Sequence, residues 1–541
     1  MERAISAKEI NNIKDLSMSR RAEFINYYLP AILAVAGAFI MLFIRIEVGQ
    51  KFISDVALMM LALACYVLAA LFQLTNLYAA SRMAELISFF SAILGVFFNF
   101  SSWLVRWVNL YEFEIAQLRA SGNAETPWIF RYIPFSNLYD LSLAFAFGAG
   151  LATILIARRK NLRILTVFSL PLAAIILTLA RFIGGEYTNL MPILDSYWRP
   201  IHVGVASLSY GVALVCFAVA VAYLIKDNVK IEAMAIWAGA FALGVFASIS
   251  KFSVFTEFVY RIGIFLPNSP KPLLTPFRLE IPYVGPLLVA SGVLSLGMIA
   301  SFLSYLYRGN EKARKIGYWM LSGSILTVTL AIAVLVYGVK ITDNVGARLE
   351  AQLAQNPNGY VTAGRALAEK QQLSAQEFSR ITPLQFEQMG RQFLQANKSA
   401  MYLSLNTNPV ELSGLIMVLV ALGFVALFSF RTEQLRERLP SLDVLDGLMY
   451  KTACLAFAGL AMLLITGAIW ANESWGRPWG FDSKETGALV AWLTYAAFLH
   501  ARISRGWTGR ASAYFAIIGF LLVVFTYLGV SYLLPGLHSY A

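Results

Sequence analysis

Trp470-Ala471-Asn472-Glu473-Ser474-Trp475-Gly476-Arg477-Pro478-Trp479-Gly480-Phe481-Asp482-Ser483-Lys484-Glu485-Thr486 is a polar, aromatic stretch set between two long apolar runs. Runs of that length are membrane helices, so the stretch is a short loop at a membrane surface. Tryptophan is enriched at the lipid–water boundary, and an interfacial belt with a structural turn is the plainest account of it. A belt, however, needs no aspartate, no Lys-Glu pair and no Gly-Arg-Pro kink between its indoles. Indoles on a backbone bent at Gly476 and Pro478 make a flat apolar shelf, and Arg477 and Lys484 put positive charge at its rim. Such a shelf suits a large, flat dianion with an aromatic face and carboxylate edges. Both accounts stand at this point.

Outward from the loop the chain keeps the same character. Its 541 residues are 58% hydrophobic and 14% charged, with a mean hydropathy of +0.64. That is the balance of an all-α polytopic membrane protein, far from a soluble domain. The net charge of +12 does not point to nucleic acid, because the basic residues cluster in short connectors between apolar runs, where they set orientation. Thirteen transmembrane helices are expected, at about 28–46, 56–79, 86–108, 138–157, 163–181, 203–225, 233–250, 286–307, 317–339, 410–430, 450–470, 487–503 and 511–534. The polar, basic head (Arg3, Lys8, Lys14, Arg20, Arg21) is followed by no cleavage site, so the first run is an anchor helix.

With the N-terminus cytoplasmic, the short basic connectors Arg158–Lys160, Lys226–Lys230, Arg308–Lys315, Arg431–Arg438 and Arg502–Arg510 all fall inside. The longer loops at about 109–137, 251–285 and 340–409, the tryptophan-rich loop and the C-terminus are then extracytoplasmic. The 340–409 loop reads as short amphipathic helices, with a capping box at Ser374-Ala375-Gln376-Glu377 and an N-cap at Thr382-Pro383-Leu384-Gln385. It is a docking surface or a spacer.

Cys65, Cys216 and Cys454 lie in apolar runs with no C-x-x-C, which excludes a thiol relay, a zinc finger and covalent haem attachment within this chain. They read as small buried hydrophobes. The three histidines are more informative. His202 follows Trp198-Arg199-Pro200-Ile201 at the outer mouth of the sixth span, and His538 follows Pro535-Gly536-Leu537 beyond the last, on the face that carries the loop. Two imidazoles flanking an aromatic shelf can bind an iron porphyrin on both axial sides; interfacial histidines bonded to headgroups and carbonyls are the competing account. His500 lies eighteen residues past Asp482, about 27 Å along a helix and so toward the inner leaflet. There it is either a functional intramembrane group or a snorkelled neighbour of Arg502. The cores of the spans carry almost no ionisable groups, which weighs against a secondary transporter or flippase.

Trp475 to Thr486, with Trp492-Leu493-Thr494-Tyr495 and Leu499-His500-Ala501-Arg502, resembles the tryptophan-rich signature of the haem-handling proteins. Within them it is most similar to the CcsA (ResC) type, the integral-membrane half of system II cytochrome c synthase. Ile133-Pro134-Phe135-Ser136-Asn137-Leu138-Tyr139-Asp140, Trp198 to Val203 and Gly536-Leu537-His538-Ser539-Tyr540 agree with that family and come in its order. The resemblance covers about 130–228 and 440–541.

The resemblance implies haem b held at the outer face by His202 and His538, with His500 receiving haem from inside. It implies a haem lyase (holocytochrome c synthase) activity that joins the vinyl groups to the thiols of a C-x-x-C-H motif in apocytochrome c. The implied partners are a CcsB (ResB)-type membrane protein, which supplies a second transmembrane histidine, and a thiol-reducing thioredoxin-like protein. The membrane is a bacterial cytoplasmic one, with the thylakoid as second choice. On this basis Trp475, Gly476, Trp479, Phe481 and Asp482 form the loop against the porphyrin, Arg477 and Lys484 face the propionates, and Asp482 orients Lys484 or a turn.

Phe481 and Ser483 stand where the signature has Trp and Pro, and Asp140 where it has Glu. Four parts follow: 1–85, a cytoplasmic head with two extra spans; 86–228, the first part of the core; 229–430, an inserted four-span block that carries the 340–409 loop; and 431–541, the tryptophan-rich core. A system I-type haem-handling protein is the nearest alternative, and a polytopic transporter the alternative from another class.

Overall fold

The computed structural model describes residues 7–123, 126–187, 195–249, 253–267, 273, 277–355, 358–370, 375–405 and 409–530, with side chains from residue 28 onward except at 370–377. In chain order the helices are α1 (Ala7–Val48), α2 (Asp55–Tyr78), α3 (Arg82–Ala120), α4 (Leu138–Ala157), α5 (Thr166–Ile183) and α6 (Trp198–Lys226). Then come α7 (Ile231–Ser248), α8 (Ser253–Glu257), α9 (Val284–Arg308), α10 (Glu311–Ile341), α11 (Val345–Ala354), α12 (Gly359–Lys370), α13 (Ala375–Arg380), α14 (Pro383–Asn397) and α15 (Pro409–Phe430). The last described are α16 (Thr432–Arg438), α17 (Leu442–Trp475), α18 (Ser483–Arg505) and α19 (Arg510–Val524), which runs on into a π turn over Phe525–Gly529.

Lipid gives the backbone no hydrogen-bond partners, so spanning segments are unbroken helices. Twelve helices among the described residues are long and apolar enough to cross a membrane, and the chain is an all-α polytopic membrane protein. The thirteenth expected span, 487–503, is helical within α18. It is less apolar than the other twelve because Lys484, Glu485, His500, Arg502 and Arg505 share that helix.

The chain divides into two compact units. The first joins Met1–Arg181 and Tyr187–Asn228 to Glu433–Ala541. Within it the apolar windows of α6 and of the span ending in α5 are 78% buried and that of α4 67%, against 22% for α1, so α4 to α6 form its centre and α1 its lipid-facing rim. The unit also buries charge, at the edges of the expected spans rather than in their cores. Arg106 of α3 is fully buried and bonded to Asp140 at the start of α4 and to Asp55 at the start of α2. Because arginine stays charged when buried, it needs a carboxylate beside it, and each of these two sits near a helix end where it reads as interfacial in the sequence.

The second unit holds Phe182–Glu186 and Val229–Thr432. In it α7, α9, α10 and α15 pack together, and the hydroxyls of Ser291 and Ser295 reach Ser324 at 2.8 and 3.0 Å across the α9–α10 seam, the polar glue usual between membrane helices. A small antiparallel sheet, unforeseen from the sequence, has β1 (Arg261–Phe265) between β2 (Arg278–Glu280) and β3 (Tyr402–Leu403). The expected N-cap of α14 is present: Thr382 Oγ1 accepts from Gln385 N at 3.3 Å, and Gln385 Oε1 accepts from Thr382 N at 2.8 Å. Ser374 of the other expected box lies outside the described residues.

Candidate functional site

A cavity of about 150 Å³ opens in the first unit where five pieces of chain end together. Its wall takes Phe135 to Leu138 at the entry to α4, His202 and Tyr210 in the early turns of α6, and Leu463 to Trp475 along the end of α17. Pro478, Trp479, Lys484 and Glu485 close it from the loop and the start of α18, and Thr526 and Tyr527 from the π turn, a helix defect that recurs at functional sites. The helices α4, α6 and α18 all direct their N-terminal, partially positive ends toward it.

Of the residues singled out in the sequence, His202, Trp475, Trp479 and Lys484 meet in this wall. His202 Nδ1 lies 3.0 Å from the carbonyl oxygen of Leu463 and 3.4 Å from Thr466 Oγ1. A carbonyl only accepts, so Nδ1 carries the proton toward Leu463 O, and in the neutral ring Nε2 is the nitrogen that can bind a metal. The ring rests against Trp470 with centroids 5.7 Å apart, and Trp470 meets Trp475 at 6.3 Å. Gly467 makes that approach possible, since a Cβ there would lie 2.7 Å from His202 Cε1.

The loop holds its own shape. Gly476 ends α17 in the left-handed conformation at φ +67°, its N–H bonded to Asn472 O. Asp482 and Glu485 form a capping box on α18: Asp482 Oδ2 accepts from Lys484 N at 3.3 Å, and Glu485 Oε2 accepts from Asp482 N at 3.2 Å and from Gly480 N at 2.8 Å. Gly476 and Asp482 thus build the turn rather than line the cavity. Lys484 is half-buried just before the apolar stretch of α18; burial pushes its ammonium down to about 8, against the pull of Asp482.

Phe481 is 79% exposed, holds φ +54°, and packs edge-on against Trp479 at 6.1 Å. Arg477 is exposed over Gly480. Neither lines the cavity. His500 is exposed on α18, its Nδ1 3.4 Å from Ser504 Oγ, sixteen residues and about 24 Å along the helix from Lys484. His538 lies outside the described residues.

Sequence reasoning gave Trp470 no role of its own, although it opens the tryptophan-rich stretch, and missed Tyr210, Tyr527 and the capping role of Glu485; of these three only the last had a signal, the Asp-x-x-Glu spacing. It also missed Arg199, which is buried and donates from Nη2 to Arg131 O at 2.6 Å, tying the start of α6 to the segment before α4.

These residues fit a porphyrin. The wall offers indole faces, one imidazole anchored through Nδ1, and one ammonium. Trp470 Nε1 is a buried donor with no acceptor among the described residues. The volume is below the roughly 300–1,000 Å³ of pockets that enclose a drug-sized ligand, so a macrocycle would enter by an edge and project outward.

The family model described as Cytochrome C assembly protein matches residues 135–266 and 287–538. Cytochrome c biogenesis protein CcsA of Prochlorococcus marinus (strain MIT 9515) is 57% identical over 98 residues, 18% of this chain and 31% of that one. CcsA of Guillardia theta is 52% identical over 99 residues, covering 18% and 33%, and that of Thermosynechococcus vestitus 52% over 104 residues, covering 19% and 33%. The chain thus spans about a third of the length of these relatives. A solved structure named Cytochrome c Heme Lyase CcmF aligns over 90% of this chain and 72% of its own at 15% identity and a TM-score of 0.27, too distant to bear on the fold.

Proposed function

The chain belongs to the cytochrome c assembly protein family, and on that premise we propose that it carries haem b in the cavity and presents it to apocytochrome c, as the CcsA-type subunit of a cytochrome c synthase. The observation that carries this reading is His202 in an aromatic wall beside Lys484, its Nδ1 bonded to Leu463 O at 3.0 Å. Haem is the cargo, and its vinyl groups take up the two thiols of a C-x-x-C-H segment by addition across the double bond.

The chain's own residues bind, orient and shield. His202, through Nε2, and His538 would hold the iron between two imidazoles, which would discourage oxygen chemistry there. Trp470, Trp475 and Trp479 pack the ring, and Lys484 neutralises a propionate. Phe481 and Arg477, outside the cavity, meet the part of the porphyrin that projects from it. His500 takes haem earlier on its path, nearer the cytoplasmic side; its exposure leaves that station open to a CcsB-type partner. The acceleration comes mostly from positioning, with the vinyl groups held beside the incoming thiols. The reading puts the cavity at the extracytoplasmic face of a bacterial cytoplasmic membrane, treats 229–430 as an insertion in the core, and assigns thiol reduction to a thioredoxin-like partner.

Purification from haem-replete cells tests this. The absorption spectrum is expected to show bis-histidine b-type bands that fade in His202→Ala and in His538→Ala. A colourless wild-type protein would sink the reading.

A further inference from the structure

The family match begins at residue 135, yet the cavity wall is held from residues ahead of it. Ser136 and Asn137, both in the wall, are fixed by Asp140: its Oδ2 accepts from Ser136 N at 3.0 Å and from Ser136 Oγ at 2.9 Å, and its N–H donates to Asn137 Oδ1 at 2.9 Å. The other oxygen, Oδ1, accepts from Arg106 Nε. Arg106 in turn donates from Nη1 to Asp55 Oδ2 at 3.2 Å and lies over the Tyr139 ring at 4.4 Å. Asp55 Oδ1 accepts from Tyr187 Oη at 2.9 Å and Asn109 Nδ2 at 3.2 Å. Arg45 of α1 joins through Asn109 and Glu112, at 2.8 and 2.6 Å.

We propose that Asp55, on one of the two leading helices, is a positioning residue for the cavity: it holds Arg106 to one oxygen of Asp140 and so leaves the other to pin the wall at Ser136. A guanidinium prefers to grip a carboxylate through both oxygens. Asp55 draws the Nη1 end toward itself and so fixes the plane in which Nε meets Asp140 Oδ1. Without its charge, Arg106 swings onto Asp140 Oδ2, displaces Ser136, and releases the segment that faces the cargo. The buried charges then still balance locally, so the effect appears at the wall and not across the bundle. The leading helices thereby become part of the site although they precede the matched region. This inference rests on the haem reading only for what the wall serves.

The test is backbone hydrogen exchange of the purified full chain together with haem retained per polypeptide. Asp55→Asn is expected to speed exchange of the 133–138 peptide about tenfold and to lower haem content, with peptides from α17 and α18 unchanged; Asp55→Glu, which restores the charge, is expected to recover both. Should Asp55→Asn fail to fold, Tyr187→Phe removes one donor to Asp55 and is expected to speed the same peptide about threefold. Unaltered exchange at 133–138, or faster exchange with haem content intact, overturns the proposal. If the wild type proves colourless, the haem reading fails by itself, and exchange alone still judges the positioning role.

Discussion

Lys484 stands in the cavity wall with its ammonium pushed down to about 8 by burial. A bound propionate favours the charged form, so it raises that value. With haem bound as proposed, affinity is expected to be full below pH 8 and to fall as pH climbs from 8 toward the higher value of the loaded protein. Titrating retained haem from pH 7 to 10 is expected to show this loss, and Lys484→Met to flatten the curve while weakening binding about fivefold to thirtyfold, as befits a charge-assisted hydrogen bond of roughly 1–2 kcal/mol. His202 and Lys484 were legible in the sequence because polar residues are scarce in so apolar a chain and each one has to be explained. Tyr210, Tyr527 and Gly467 were not, because an aromatic ring or a glycine within an apolar span reads alike whether it faces lipid or a cavity. Arg106 escaped notice for a related reason: at a span's edge a cation looks interfacial, and only packing reveals it as buried.

At the level of elements, the turn between α17 and α18 is held by Gly476, Asp482 and Glu485. Glu485→Ala deletes the acceptor for Gly480 N and Asp482 N. It is expected to cost about 1 kcal/mol, as lost caps do, seen as a lower unfolding midpoint in detergent and faster proteolysis near 476–482. The helices were legible because apolar runs of about twenty residues leave the backbone no other choice. The same spacing as at Thr382 and Gln385 is present at Asp482 and Glu485, where it supports the turn role open to Asp482 in the sequence. The sheet was not legible, since strands of two to five residues are too short for alternation to register.

For the whole molecule, the orientation drawn from the basic connectors is open to a direct check. With Cys65, Cys216 and Cys454 replaced by alanine, a single cysteine in the 340–409 loop of intact cells is expected to react with a membrane-impermeant maleimide, and one at Lys160 only after lysis. The reverse pattern would place the cavity at the cytoplasmic face. The discontinuous make-up of the first unit has a further result. Its cavity draws one side from residues 135–210 and the other from 463–527, so a nascent chain on the ribosome has no receptacle until the second side emerges. His202 reaches the bilayer long before the carbonyl of Leu463 that holds its ring, and in the proposed function a chain abandoned part-way through synthesis lacks the wall that would hold the pigment.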